Sequence, residues 1–333
     1  LQTLISTLSK AGIDAVIASD LAVIQECRKY SIPIHASTQL NISNIEAVRF
    51  FSQFCDVVVL ARELSLTQVK EITRQIQEQN ICGPSGNLIK IELFVHGALC
   101  MAVSGKCYLS LDNFNYSANR GACIQVCRRG YHVKDKDQEV ELEIDNEYIM
   151  SPKDLCTIDF IDKIINAGVS VFKIEGRARS SEYVKTVTLV YKEAVQSIFN
   201  ETYTDENIEK WKKSLEQVFN RGFWDGYYLG RKMGEWADRG GSRATKVKEY
   251  VGKVTNYFNR IEVFELTMES GEIKIGDELI IIGPTTGVVE LIVSEIRTNL
   301  VAVDSATKGD VCSLPISDLL RRSDKVYKLT KTE

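Results

Sequence analysis

The sequence predicts an α/β chain followed by a small all-β module, and three observations carry that reading. Short apolar runs alternate with amphipathic stretches, roughly 20–30 residues apart, as in a parallel sheet with helical crossovers. Residues 97–157 break the rhythm with glycines and hold five of the nine cysteines. From about residue 246 the helical period disappears, and strand-like runs alternate with turn sequences SGE, GPTTG and KGD. The predicted domains are therefore 1–240, with 97–157 inserted, and 246–333.

In order, residues 13–19 (IDAVIAS) form a strand and LAVIQECRKY a helix. Residues 32–36 (IPIHA) are the next strand, followed by a turn and helix over 37–54. Residues 56–61 (DVVVLA) are a third strand. Leu66, Val69, Ile72 and Ile76 then recur at helical spacing across 66–79. Residues 89–95 (IKIELFV) are a fourth strand. After the insertion, with its charged hairpin-like stretch at 134–145, come a helix over 158–167 and a strand over 169–174. A long helix follows from a Ser180 cap to about Phe199, then another over 204–219 capped by Thr204 or Asp205. Residues 221–241 are Gly- and aromatic-rich and read as a boundary loop. Beyond them, strands are expected at 251–255, 260–266, 278–282, 288–296 and 300–303, with 316–320 the one place for a helix.

Five strand units are clear, whereas a closed (β/α) barrel needs eight in about 250 residues. The expectation is a TIM-type (β/α) barrel missing its first strands, because the chain opens at Leu1 rather than Met, and then a small β-barrel.

A length of 333 residues allows about two domains. Net charge is −4, which excludes a globally basic nucleic-acid binder but not a local basic patch. Arg120, Arg128, Arg129, Tyr131, Lys134 and Lys136 beside the cysteines are such a patch. No apolar run reaches the roughly 18 residues of a membrane span, so no membrane partner is expected.

A chain of this size needs no disulfide staples, so clustered cysteines point to metal or redox chemistry in a reducing compartment. Cys27, Cys55, Cys82 and Cys312 stand alone and read as small buried hydrophobes. Only Cys123 and Cys127 have the tight spacing of a structural zinc site, which favours an iron–sulfur cluster over zinc. Cysteine proteolysis would need a thiolate paired to an oriented base. His96, four residues before Cys100, reads instead as a hydrogen-bonded structural residue.

Barrel active sites lie at the C-terminal ends of the strands. Those ends carry His35, Ser37 and Gln39, then Arg62 and Glu63, then Lys173, Glu175 and Arg177. Converging cations suit an anionic substrate. The Arg62–Glu63 and Lys173–Glu175 pairs would serve equally as ion pairs inside the barrel.

ELFVHGALCMAVSGKCYLS at 92–110 resembles the signature of the U-32 collagenase-like peptidase family. NRGACIQVCRRGY at 119–131, FKIEGRARSSEYVKTVTLVY at 172–191 and VVLARELSL at 58–66 are similar to further motifs of that family. Among its members the chain looks most like bacterial proteins that hydroxylate tRNA. The resemblance implies a cytoplasmic enzyme that converts wobble uridine to 5-hydroxyuridine with prephenate as co-substrate. It also implies a cluster, of the 4Fe-4S kind, on Cys100, Cys107, Cys123 and Cys156, with Cys127 as the possible substitute. The dicarboxylate would meet Arg62, Lys173, Arg177 and Gln39, with Glu63, Glu175 and His35 as acid/base groups. The alternatives are a collagenase-like endopeptidase and a non-catalytic RNA- or protein-binding factor. Full-length members begin with further strand–helix units, so the resemblance also implies an N-terminally truncated chain.

Overall fold

The computed structural model describes residues 1–103, 105–132, 150–231 and 234–332. The charged stretch 134–145, with Lys134 and Lys136, lies outside the described residues. The chain divides into two units: residues 1–176, 191–211 and 220–242, and residues 177–190, 212–219 and 243–333.

The first unit opens with a helix absent from the sequence expectation, α1 (Gln2–Lys10). There follow β1 (Val16–Ala18), α2 (Leu21–Lys29), β2 (Ile34–Ala36), α3 (Ile45–Ser52), β3 (Val57–Val59), α4 (Leu66–Glu78) and β4 (Lys90–Ala98). Each of these later helices starts where a side chain satisfies its first amides. Asp20 accepts from Ala22 and Val23, Asn44 from Ala47, and Ser65 with Gln68 closes a capping box. The cysteine-rich segment contains a short helix, α5 (Leu109–Phe114), and returns as β5 (Asp154–Cys156). Next are α6 (Ile161–Asn166), β6 (Val171–Glu175), α7 (Ser181–Phe199), α8 (Asp205–Glu216) and β7 (Phe223–Trp224). The Thr204 hydroxyl caps α8 by accepting from the Asn207 amide.

Strands β1, β2, β3, β4 and β6 pair in parallel, and their buried Val, Ile and Leu side chains form the core against the helices. Among the described residues no ladder joins β1 to the far side, so the parallel sheet is open at β1. Strand β4 is the pivot. Its first half pairs with β3 through Glu92, and from His96 onward it pairs antiparallel with β5. A register shift between Phe94 and His96 keeps β6 aligned along β4 while the strand turns.

The second unit is antiparallel. It contains β8 (Lys246–Phe258), β9 (Val263–Met268), β10 (Glu272–Lys274), β11 (Glu278–Gly283), β12 (Gly287–Ile292), β13 (Ile296–Thr298), β14 (Val301–Val303), β15 (Ser305–Thr307), β16 (Val311–Pro315) and β17 (Lys325–Lys331). The main sheet runs β12-β11-β17-β8-β9-β16-β13-β14, and β10 pairs with β15. The strict alternation of β9 turns Phe264, Leu266 and Met268 into a core shared with Val251, Val254, Ile281 and Leu314. The strand expected over 288–296 is two, and 316–320 is not helical, because Ile316 and Leu320 enter the core from a bend. Within this unit the first half of α7 is tied to the strands by Glu182–Lys248 at 2.7 Å and Lys185–Glu290 at 2.9 Å.

Candidate functional site

A carboxylate lies at the centre of the first unit. Glu92 is the one acid in the apolar strand IKIELFV, and it is 3 % exposed. A buried carboxylate is costly unless both oxygens are satisfied. Oε2 is 2.7 Å from Nδ1 of His35 on β2, and Oε1 accepts from Nζ of Lys173 on β6 at 2.8 Å. Burial pushes the Glu92 carboxyl up, but the hydrogen bonds and charges of His35 and Lys173 outweigh it and hold the group below the usual carboxylate range. One side chain therefore joins β2, β4 and β6.

Next to it, the Arg62 guanidinium lies over the Phe94 ring at 4.7 Å, and the Lys173 ammonium is 5.6 Å from the centre of the same ring. Arg62 donates weakly to the Ala98 carbonyl at 3.5 Å, while its buried Nε has no partner among the described residues. Burial lowers its affinity for the proton, opposed by Cys100, Glu175, Tyr228 and Glu63. The Tyr228 hydroxyl donates to the Phe94 carbonyl at 2.7 Å. Glu63 is exposed and Glu175 half-buried. The structure thus gathers His35, Lys173, Arg62 and Glu175 around Glu92 and Phe94. Arg177 is exposed and belongs to the second unit.

Gln39 connects this region to the cysteines. Its Oε1 accepts from the Ser19 hydroxyl at 2.8 Å. Its Nε2 lies where a side chain on Gly105 would begin, only 2.1 Å from an ideal Cβ. Gly105 also has φ +78°, so the turn between Cys100 and Cys107 closes onto Gln39 only with glycine there.

Three sets of hydrogen bonds fold the cysteine segment. Arg128 donates to the Leu99 carbonyl at 2.5 Å and to the Pro152 carbonyl at 2.9 Å, which brings Cys127 toward Cys100. Ser110 accepts from the Ile124 amide at 3.1 Å, and its hydroxyl is 3.9 Å from the Cys123 sulfur. Buried Arg221 holds Asp154 at 3.3 Å and Gln125 at 3.2 Å. Burial pushes the Cys127 thiol up, Arg128 pulls it down, and Cys100, Cys123 and Cys107 push it up again. Cys127 is therefore the thiol on which the other three bear. Among the described residues, no three His, Cys, Asp or Glu side chains stand together at metal-ligand distance.

Cys156 occupies other surroundings. It is buried on β5, with the Tyr191 hydroxyl 3.9 Å from its sulfur. That hydroxyl donates to the Val95 carbonyl at 2.8 Å and accepts from the Thr157 amide at 3.0 Å. His96 is 1 % exposed, with Nδ1 3.3 Å from the same hydroxyl and its ring against Phe223. Cys27, Cys55 and Cys312 are buried as expected, whereas Cys82 is half-exposed. The basic patch is partly consumed by folding: Arg128 serves backbone carbonyls, and Arg129 lies over Phe114 at 5.3 Å.

Glu92 and Phe94 were missed as site residues. A lone acid inside an otherwise apolar strand was the available signal, since such a group survives burial only when paired.

The profile of peptidase family U32 matches residues 1–238. The chain is 58% identical over 333 residues to a collagenase of Porphyromonas gingivalis, covering all of this chain and 80% of that protein. It is 37% identical over 329 residues to the uncharacterized protease MJ0090 of Methanocaldococcus jannaschii, covering 97% of this chain and 79% of that one. It is 33% identical over 291 residues to the tRNA hydroxylation protein P1 of Bacillus subtilis, covering 85% and 66%. Among the described residues no helix is long and apolar enough to cross a membrane.

Proposed function

The chain belongs to peptidase family U32, and we propose that within it the chain is an RNA-modifying enzyme that hydroxylates the wobble uridine of tRNA to 5-hydroxyuridine with prephenate as co-substrate. Its similarity to a tRNA hydroxylation protein supports this reading. The observation that carries it is the placement of Arg62: a half-buried cation on an aromatic ring, with its buried Nε unpartnered among the described residues, beside Cys100. Such a group suits one carboxylate of a small dicarboxylate. Lys173 already neutralises Glu92, so Arg62 is the main anion contact among the described groups of this unit. We read the five parallel strands as part of a (β/α) barrel with its mouth at these residues. Such an enzyme would work on a flipped uridine, since chemistry on a base needs it unstacked, and in the cytoplasm, where tRNA is.

The donor set fits an iron–sulfur cluster by its chemistry. Cys100, Cys107, Cys123 and Cys127 share one segment, the first three each bear on the Cys127 thiol, and none forms a disulfide. We propose these four as ligands, with Cys127 in the place first given to Cys156. Bound there, a cluster would accept and return single electrons beside Arg62. In this reading the residues themselves bind the anion (Arg62), hold the strand ends together (Glu92, Lys173), close the thiol loop (Gln39, Gly105) and move protons (His35).

A collagenase-like endopeptidase is the second reading, favoured by the 58% identical collagenase. The histidines lend it less support: no cysteine sulfur is hydrogen-bonded to His35 among the described residues, and His96 is buried against Tyr191.

The deciding experiment purifies the protein anaerobically, measures iron, sulfide and zinc, and incubates it with prephenate and unmodified tRNA, with nucleosides read by mass spectrometry. Iron with sulfide and 5-hydroxyuridine formation are expected, lost in Cys127→Ser and retained in part in Cys156→Ser. Zinc without sulfide would end the cluster proposal. Collagen cleavage that survives chelation, with no modified uridine, would favour the endopeptidase.

A further inference from the structure

We infer that His35 is a proton-exchanging group whose Nε2 is the reactive nitrogen, and that Glu92, itself held by Lys173, is its positioning residue. The inference deepens the enzymatic reading but rests on it only for the identity of the substrate.

The argument begins with Glu92. An ionised carboxylate only accepts hydrogen bonds. With Lys173 at 2.8 Å on one oxygen, the 2.7 Å contact of the other to His35 requires a proton on Nδ1. The neutral ring then carries its lone pair on Nε2, which makes no hydrogen bond among the described residues. His35 keeps a quarter of its side chain exposed while Glu92 is nearly covered, so the ring is anchored on one side and open on the other. Lys173 has a defined part: it binds the second oxygen and so favours the carboxylate that the Nδ1 proton needs as acceptor. A proton leaving a substrate O–H or N–H passes to Nε2. The Nδ1 proton stays in place, and the resulting imidazolium is paired at once with Glu92. This is the arrangement by which an acid fixes the tautomer of a histidine base. Lys173, on the other oxygen of Glu92, lies over the Phe94 ring that also carries Arg62, so a small molecule bearing an anion is the group served.

The test needs no substrate. The full chain contains three histidines, so ring-nitrogen NMR of the 15N-histidine-labelled protein can be assigned with His35→Gln and His132→Gln. At a pH where the ring is neutral, His35 is expected in the Nδ1–H form. It is also expected to be ethoxyformylated by diethyl pyrocarbonate faster than buried His96, read by mass spectrometry. Glu92→Gln is expected to move His35 toward the Nε2–H form and to lose most of that reactivity. Lys173→Met leaves the carboxylate in place and is expected to keep the Nδ1–H form, a second variant should Glu92→Gln fail to fold. A wild-type His35 in the Nε2–H form, no excess reactivity over His96, or an unchanged tautomer in folded Glu92→Gln would each overturn the inference. Absence of tRNA hydroxylation with these results intact would sink the proposed reaction and leave the proton-exchanging site standing.

Discussion

Replacing Glu92 by Leu removes the charge that joins β2, β4 and β6, and its cost can be worked from the structure. The Glu92 side chain is 4 % exposed, and its partners Lys173 and His35 are 20 % and 25 % exposed. Breaking a fully buried ion pair from one side costs about 3–5 kcal/mol, because the remaining charge is left unpaired in a poor solvent. The partial exposure of Lys173 lets water recover part of that, so the expected loss is about 2–3 kcal/mol. Urea unfolding at pH 7 reads it as a lower midpoint with an unchanged slope. Adding Lys173→Met should restore part of the loss, since no ammonium then remains uncompensated. The pH dependence has a definite sign. The carboxyl of Glu92 is held below its ordinary range, so its stabilisation is fully present above the unfolded pKa and disappears as pH falls through the lower folded value. The gap between wild type and Glu92→Gln should therefore narrow in acid. A Glu92→Leu protein within about 0.5 kcal/mol of wild type at pH 7, or no coupling to Lys173, would refute the reasoning.

Three further substitutions test other joints. Gly105→Ala places a Cβ 2.1 Å from the Gln39 amide nitrogen at φ +78°, so a loss of about 2–3 kcal/mol is expected in urea unfolding. Restoring the loss with Gln39→Gly would identify that contact as the cause. Arg221→Met leaves Asp154 buried at 1 % exposure, and a cost of about 3–5 kcal/mol is expected. Limited proteolysis should then cut the segment around Gln125 sooner than in wild type, because its tie to Arg221 is gone. In the second unit, Gly283→Ala drives a Cβ to 1.8 Å from Oδ1 of Asp324, whose other oxygen, Oδ2, accepts from the Arg321 amide and the Thr286 hydroxyl. A loss of about 1–3 kcal/mol is expected by calorimetry, and none at all would mean that Asp324 turns away freely.

Where the chain's signals were local, they were legible. Apolar periods and the caps at Asp20 and Ser65–Gln68 act within a few residues, so the order of strands and helices from β1 to β4 followed from the amino acids, while α1 did not. The crowding of cysteines between 100 and 156 and the change to short strands after 246 were equally open to reading. Helix α5 escaped notice because six residues carry too little period to show.

What only the tertiary structure decided depends on residues far apart in the chain. His35, Glu92 and Lys173 are 57 and 81 positions from one another in sequence, and nothing local to any of them announces the shared carboxylate. Cys127 and Cys156 look alike as candidate ligands. One is drawn toward Cys100 by Arg128 bonding the Leu99 carbonyl, and the other is carried by β5 into the interior beside Tyr191. Local propensity arranges elements along the chain; which side chains come to share a buried charge or a thiol neighbourhood is set by strand register, and register exists only once the sheet has formed.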